Sequence, residues 1–454
     1  MTLPRPLNTR VQQALAEPLS RSAYSLMANV VLTSILGLAF WLVAARLAPP
    51  VELGQDSALI AVLMVLTVVC QLDLGTVLTR FLPVTRRRSA LMVAAAYAIS
   101  LAASLLVAVA FVIVAPALWS SLAFLGRDMW LAAGFCVLMS LWAVFALQDY
   151  VLTALHRAPW VPAENAGYGL LKLAALPVLI AAGFGHAVFV AWVGPVVVLV
   201  IVVNILLFRR VIPAHERSPR ESAGHAPLRG APLLRFVIPD YLATIFNQLT
   251  TWLLPVLVVV MLGSQANAYF YIAFTVVTAF NLLFVNVSTS LMVEGVMDER
   301  RLAALTRQVA RRFLLWLVLG GVVLYAAAPL ILAPFGTEYA TGAGGVLRLL
   351  VIAGGFRAVI SLFTAIARVR RRTGWLLAAY GGLAVILLPL AVVLARPMGL
   401  DGVALAWLIA HATVAVAVLV PMLRLLRTPG DTPQAWSSEP VPLLAATAVA
   451  AGDR

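Results

Sequence analysis

A chain of 454 residues that is 63% hydrophobic and only 11% charged is too apolar to fold as a soluble protein. Its net charge of +14 would point to nucleic acid if it clustered on a soluble face, but the arginines are spread through the gaps between apolar runs, which excludes that class. Cys70 and Cys136 both fall inside apolar runs and the five histidines are nowhere paired at ligand spacing, so no disulfide framework, metal site or cofactor is expected.

In chain order, twelve runs long enough to cross a hydrocarbon core of about 30 Å lie near 22–45, 57–79, 91–115, 129–153, 161–183, 187–208, 237–262, 268–293, 313–335, 346–367, 374–395 and 402–423. Of the 32 Lys/Arg residues, 26 fall in the two terminal segments and the even-numbered gaps; the odd gaps and the edge of the run that follows the ninth hold only Arg46, Arg127, Arg348 and Arg396. Lys/Arg excess marks the cytoplasmic side, so the expectation is a multi-pass protein of the bacterial cytoplasmic membrane with both termini inside. The arginines themselves orient helices and touch anionic headgroups of the membrane lipids.

Residues 1–21 read as a cytoplasmic N-terminal segment, and the apolar run that follows is too long for a signal-peptide core and is expected to be retained. A six-helix lobe is expected over 22–208. The Pro- and Arg-rich stretch 209–236 reads as a cytoplasmic linker, and a second six-helix lobe is expected over 237–426. The tail 427–454, with Pro429, Gly430, Pro433 and Pro440, is expected to be largely disordered, and its apolar piece 441–451 is too short to span.

The two lobes look like a repeat. An offset of about 214 residues lays Arg46 to Arg80 over Val260 to Glu294. Near it, Thr153-Ala154-Leu155 meets Thr364-Ala365-Ile366, Pro177 meets Pro389, and Ala191-Trp192 meets Ala406-Trp407. With six helices each, both lobes start from the cytoplasm, so the repeats are parallel and related by an axis along the membrane normal, an arrangement that places substrate between the halves. The fold class expected is an all-α polytopic membrane protein of about twelve helices around a central cavity.

Polar stripes interrupt the apolar runs. In predicted helix seven, Asp240, Thr244, Asn247 and Thr251 fall at i, i+4, i+7 and i+11, and in predicted helix one Ser22, Ser25, Asn29 and Thr33 fall at i, i+3, i+7 and i+11. Helix two ends in Asp73, Thr76 and Arg80, and helix eight in Asn286, Ser290 and Glu294. Such faces either bond helices together or line a water-filled cavity, and their recurrence on corresponding helices favours the cavity. Two cations stand about eleven residues into their helices: Lys172, the only lysine of the chain, in helix five and Arg357 in helix ten. A charge there costs at least about 2.5–3.5 kcal/mol unless it meets a partner or a cavity. Asp149 at the inner end of helix four is a candidate partner for Lys172; the alternative is that both cations receive an anionic group such as a diphosphate. Arg80 and Glu294 coincide at the repeat offset, where they either pair as an inner gate or simply reach to water.

The chain resembles the polysaccharide-exporter branch of the multidrug/oligosaccharidyl-lipid/polysaccharide exporter superfamily. Residues 44–54, Ala-Ala-Arg-Leu-Ala-Pro-Pro-Val-Glu-Leu-Gly, resemble the family's "ar.l.p..fG" turn, and Leu72-Asp73-Leu74-Gly75-Thr76 follows where members show "d.Gl". Phe335-Gly336-Thr337-Glu338-Tyr339 resembles "fG..y", and Gly399-Leu400-Asp401-Gly402-Val403-Ala404-Leu405-Ala406 resembles "gl.G.alA". The resemblance implies a flippase, not an enzyme, for a polyprenyl-diphosphate-linked saccharide, working with glycan-assembly enzymes and by alternating access. On this reading Lys172, Arg357, Asn29, Asn247 and Thr251 bind substrate, Asp73, Asp149 and Asp240 are candidates for ion coupling, and Arg80 and Glu294 gate. Lipid II flippases add two helices and more cavity arginines, and multidrug members often carry an acid in helix one; this chain has neither. The alternatives are a small-molecule exporter and a membrane glycosyltransferase or polymerase, which would need acidic motifs in sizeable outer loops.

Overall fold

The computed structural model describes residues 18–85, 88–155, 157, 160–217, 230–297 and 301–427, apart from the side chains of 18–31, 230–237, 293 and 297. The expected tail, the middle of the expected linker and residues 1–17 therefore lie outside the described residues. The first half consists of α1 (Pro18–Leu47), α2 (Pro50–Cys70), α3 (Ser89–Leu118), α4 (Met129–Ala154), α5 (Val161–Ala181) and α6 (Ala187–Arg217). The second half has α7 (Gly230–Leu262), α8 (Ser264–Met297), α9 (Leu302–Ala326) and α10 (Gly344–Val369), then α11 and α12 within Thr373–Arg427. Those last two are divided at Gly399, whose φ of 60° and ψ of −134° turn the chain back on itself. A side chain rarely adopts that conformation. Nine segments among the described residues are long and apolar enough to cross a membrane. One of them holds both α11 and α12, and with α1 and α5 the passes number twelve. This is an all-helical, multi-pass membrane protein.

Several boundaries differ from the apolar runs, each for a local reason. Helix α2 starts at Pro50, where the ring suits the first helical position, and not at 57. Its polar first turns are covered by protein: Asp56 is fully buried and Glu52 accepts a backbone hydrogen bond. At the other end α2 stops at Cys70, because Leu72 and Asp73 both take left-handed φ values, and a short helix, Leu74–Phe81, follows. Helix α9 starts at Leu302, eleven residues early. Its first turns are amphipathic, with Leu302, Val309 and Phe313 buried and Arg307, Arg311 and Arg312 exposed.

The halves meet chiefly through α2, which packs on both α7 and α8. At the end away from the arginine-rich loops, a Cβ on Gly54 would stand 1.7 Å from the Ser264 carbonyl oxygen, so only glycine permits this approach. Asn267 Nδ2 spans the gap by donating to the Gly54 carbonyl at 2.8 Å and to Ser57 Oγ at 3.0 Å. Close by, Arg46 Nη2 donates to the Ala333 carbonyl at 3.2 Å, and its Nε donates to that of Pro334. Three positions of the 44–54 motif thus act together at this junction. Arg46 latches, Pro50 starts the helix and Gly54 lets the halves touch. At the basic end, Tyr241 of α7 donates to the carbonyls of Val68 and Val69 near the end of α2.

Helix α2 also holds the start of α6. Asp56 Oδ2 accepts from Phe189 N at 3.0 Å, and Glu52, one turn earlier, accepts from Ala187 N at 3.2 Å. Two carboxylates thereby occupy the positive end of a helix. Asp56 Oδ1 also meets His186 Nδ1 at 2.6 Å, and the imidazole stacks on Phe124 with centroids 5.2 Å apart. Burial opposes protonation of His186. The hydrogen bond and charge of Asp56, with Glu52 and Asp128 behind it, overcome that and raise the imidazole above its usual value.

Two outcomes are expected. Because the folded value of His186 lies above the unfolded one, the pair's contribution is complete below pH 6.5 and fades as pH rises through the raised value. The unfolding midpoint in detergent should therefore fall across that window, and Asp56→Asn should flatten the dependence while costing about 3 kcal/mol at the acid end. Separately, Arg46→Ala removes charge-assisted bonds worth about 1.5–3 kcal/mol between the halves. In an Ala268→Cys background, labelling of that buried thiol by an impermeant maleimide should then accelerate several-fold.

Candidate functional site

Two cavities meet in the middle of the bundle. The first, of about 40 Å³, lies between the halves and is bounded by α1, α5, α6, α7 and α8. The second, of about 140 Å³, is lined only by the second half, from α7, α8, α10, α11 and α12. Thr251 and Thr278 line both, so the two adjoin. On α10 the second cavity runs from Arg357 to Arg368, about 16 Å toward the basic end at 1.5 Å per residue.

Lys172 lines the first cavity although it is only 2% exposed. Its ammonium sits in an aromatic seat, with Nζ 4.8 Å from the ring centroid of Tyr168, 5.4 Å from Phe40 and 5.5 Å from Trp192. The faces of such rings stabilise a cation by about 0.5–2 kcal/mol each, which offsets part of the cost of burying it. The seat is itself braced: Tyr168 Oη donates to the Trp192 carbonyl at 2.6 Å, and Trp142 stacks on Trp192 at 4.7 Å. Around the same cavity stand Trp41, Trp252, Tyr271 and Phe274 with the hydroxyls of Ser34, Thr275 and Thr278.

Arg357 lines the second cavity with its guanidinium carbon 5.8 Å from the centroid of Trp407. His411, one turn later on α12, lies 4.3 Å from that indole and donates from Nδ1 to the Trp407 carbonyl at 2.8 Å. The sequence pairs Trp192 with Trp407 across the repeat, and the structure puts a cation over each ring. The cations come from different helices, however: α5 in the first half, α10 in the second. Arg368 also lines the second cavity and bonds Asp240 Oδ1 through Nε at 3.3 Å. The lining of both cavities among the described residues includes Lys172, Arg357 and Arg368 and no carboxylate.

The other candidates are distributed as follows. Thr244, Asn247 and Thr251 of the α7 stripe line the second cavity, while Asp240 at its end is buried and engaged by Arg368. The side chain of Asn29 lies outside the described residues, as do those of Ser22 and Ser25. On α8 the lining face carries Thr278, Ser288 and Thr289, whereas Asn286, Ser290 and Glu294 lie off it. Asp149 is buried in α4. Asp73 accepts from Thr76 Oγ1 at the break after α2. Arg80 lies 5.8 Å over the ring of its neighbour Phe81, Glu294 is exposed, and no ion pair joins them among the described residues.

Sequence reading passed over the aromatic seats, Arg368 and His411. One signal was available: Arg357, Ser361, Thr364 and Arg368 repeat the i, i+4, i+7, i+11 spacing of the α7 stripe that faces them.

No known family's sequence profile matches the chain, and no curated protein matches it. Solved structures do. The lipid II flippase MurJ in an inward closed conformation superposes with a TM-score of 0.68 at 13% identity, over 93% of this chain and 96% of that one. An inward-facing multidrug resistance MATE family transporter of the MOP superfamily gives 0.65 at 16%, over 90% and 100%. The MATE multidrug transporter DinF-BH gives 0.63 at 13%, over 91% and 97%. The class defined by twelve helices and a central pair of cavities is thus a membrane-transporter architecture. Specifically, the chain has the fold of the MOP-superfamily transporters.

Proposed function

We propose that this protein is an alternating-access flippase for a polyprenyl-diphosphate-linked oligosaccharide or a related cell-envelope precursor. It would act in the bacterial cytoplasmic membrane with its arginine-rich face inside. The observation that carries this reading is the charge of the adjoining cavities: Lys172 and Arg357 line them, with Arg368, which Asp240 engages, and no described carboxylate is in their lining. A positive interior suits an anionic cargo and repels a cationic one. The aromatic faces and hydroxyls beside Lys172 add what a sugar needs, flat apolar surfaces for its C–H face and hydrogen bonds for its edges.

In this reading the structure represents the state loaded from the cytoplasm. The second cavity extends toward the basic end, while Arg46, Gly54 and Asn267 close the opposite end. The diphosphate enters beside Arg368 and settles between Arg357 and Lys172, where the guanidinium offers a bidentate grip and the ammonium a point charge. The saccharide occupies the first cavity, along Asn247, Thr251 and, by expectation, Asn29. Rocking of the halves then closes the basic end, where Arg80 and Glu294, apart here, come together. Likeness to multidrug transporters supports a small-molecule exporter as a second reading; its cargo would have to be anionic to suit the same lining.

Replacing Lys172 and Arg357 together by alanine should abolish glycan export and cause the lipid-linked glycan to accumulate, with membrane abundance unchanged. Each single change should reduce export about tenfold or more, as expected for one charge-assisted contact. Normal export in the double variant would end the diphosphate reading. For the gate, Arg80→Glu and Glu294→Arg should each impair export and the combination should restore it, measured as surface glycan.

A further inference from the structure

His411 lines the second cavity together with Arg357 and is close enough to the guanidinium to feel its charge. Its Nδ1 meets the Trp407 carbonyl at 2.8 Å, and a carbonyl oxygen can only accept, so Nδ1 carries the hydrogen. In the neutral ring Nε2 is then a lone pair, an acceptor with no donor against it among the described residues. Bracing of the indole does not account for a histidine here. In the first half, Trp192 takes the matching place beneath Lys172, and the residue one turn beyond it is Val196, apolar and fully buried. The imidazole therefore belongs to the chemistry of the second cavity and not to the repeat.

Much of the remaining lining has the same polarity. Thr244, Thr251, Thr289 and Thr364 each donate to a carbonyl of their own helix at 3.0 Å. Back-bonding is the habit of threonine in a helix, and its consequence here is that these hydroxyl hydrogens are spent while the oxygen lone pairs remain for a ligand. Asn247 and Gln248 offer donor and acceptor alike. Around Arg357 the cavity thus presents a cation and a surplus of acceptors. An ionised phosphate satisfies the guanidinium but consists of acceptors itself, and beside His411 it would set lone pair against lone pair. The ligand that fits carries its donors a few bonds away from its negative charge. A sugar bonded to a phosphate does so through its hydroxyls or an acylamino N–H; a bare diphosphate does not.

We propose that His411 is a specificity-determining residue, whose Nε2 accepts a hydrogen bond from a hydroxyl or acylamino N–H of the sugar bonded to the diphosphate that Arg357 holds. The proposal rests on the diphosphate reading and adds which part of the cargo is recognised. A carrier lipid that has no sugar leaves the imidazole acceptor unpaired in an enclosed place, so the site works by penalising the wrong cargo. Sites that read a donor in this way reject the analogue lacking it more sharply than an apolar pocket rejects a change of size.

The test measures equilibrium binding of two lipids to the purified full-length protein in detergent, by quenching of its tryptophan fluorescence: undecaprenyl diphosphate and undecaprenyl-diphosphate-N-acetylglucosamine. The wild type should prefer the sugar-bearing lipid by about tenfold, the worth of one hydrogen bond. His411→Phe keeps an aromatic ring against Trp407 but has no acceptor. It should lose the preference and bind bare undecaprenyl diphosphate as before. His411→Gln, whose side-chain oxygen reaches the place of Nε2, should retain the preference. Equal affinity of the wild type for the two lipids overturns the proposal, as does an unchanged preference in His411→Phe. Equal weakening of both lipids in His411→Phe also overturns it, because that is the mark of a residue that only supports the fold. Failure of the diphosphate reading looks different: the wild type binds neither lipid, or the Lys172→Ala, Arg357→Ala double variant binds both undiminished.

Discussion

A cation in the middle of an apolar bundle must be held by something other than water, and in this protein aromatic rings hold it. The ammonium of Lys172 rests among three ring faces, and the guanidinium of Arg357 lies over an indole. Ring quadrupoles attract the charge without neutralising it. Much of the surrounding structure follows from keeping those rings in place: the Tyr168 bond to the Trp192 carbonyl, the Trp142 stack and the His411 bond to the Trp407 carbonyl.

The internal repeat is preserved in this scaffold and broken in its chemistry. Trp192 and Trp407 are matched, yet their cations arrive from α5 and α10, helices at different places in the two halves. The polar contents differ as well. The second half opens a cavity lined with hydroxyls and arginines, while the corresponding interior of the first half encloses Tyr97, Glu164 and Asn165. Such division is open to a duplicated fold, because helix packing constrains where side chains project but not their charge.

How much of this was legible in the sequence follows from which signals are periodic. The passes could be read because about twenty apolar residues in a row have few other uses. The α7 stripe could be read because Thr244, Asn247 and Thr251 share one helical face, and they do line the cavity. On α8 the same approach chose Asn286, Ser290 and Glu294, one face away from Thr278, Ser288 and Thr289, since polarity alone does not say which side meets the neighbours. Aromatic seats are invisible by composition: Phe40, Tyr168 and Trp192 are ordinary residues of a membrane helix until three helices bring them around one nitrogen. The early start of α2 was hidden for a related reason. Glu52 and Asp56 look like loop residues, and their partners are backbone N–H groups some 130 positions away.

The two carboxylates of α2 tie the mechanics together. Through Glu52 and Asp56, α2 is fastened to the head of α6, and α6 bears Trp192, the floor beneath Lys172. The same α2 is the principal surface by which the first half leans on α7 and α8. On the proposed alternating-access reading, fulcrum and cargo seat are therefore parts of one stiff bracket. Any tilt of one half against the other carries the lysine along as a fixed arm, so the charge swings through an arc set by the hinge and not by its own side-chain torsions.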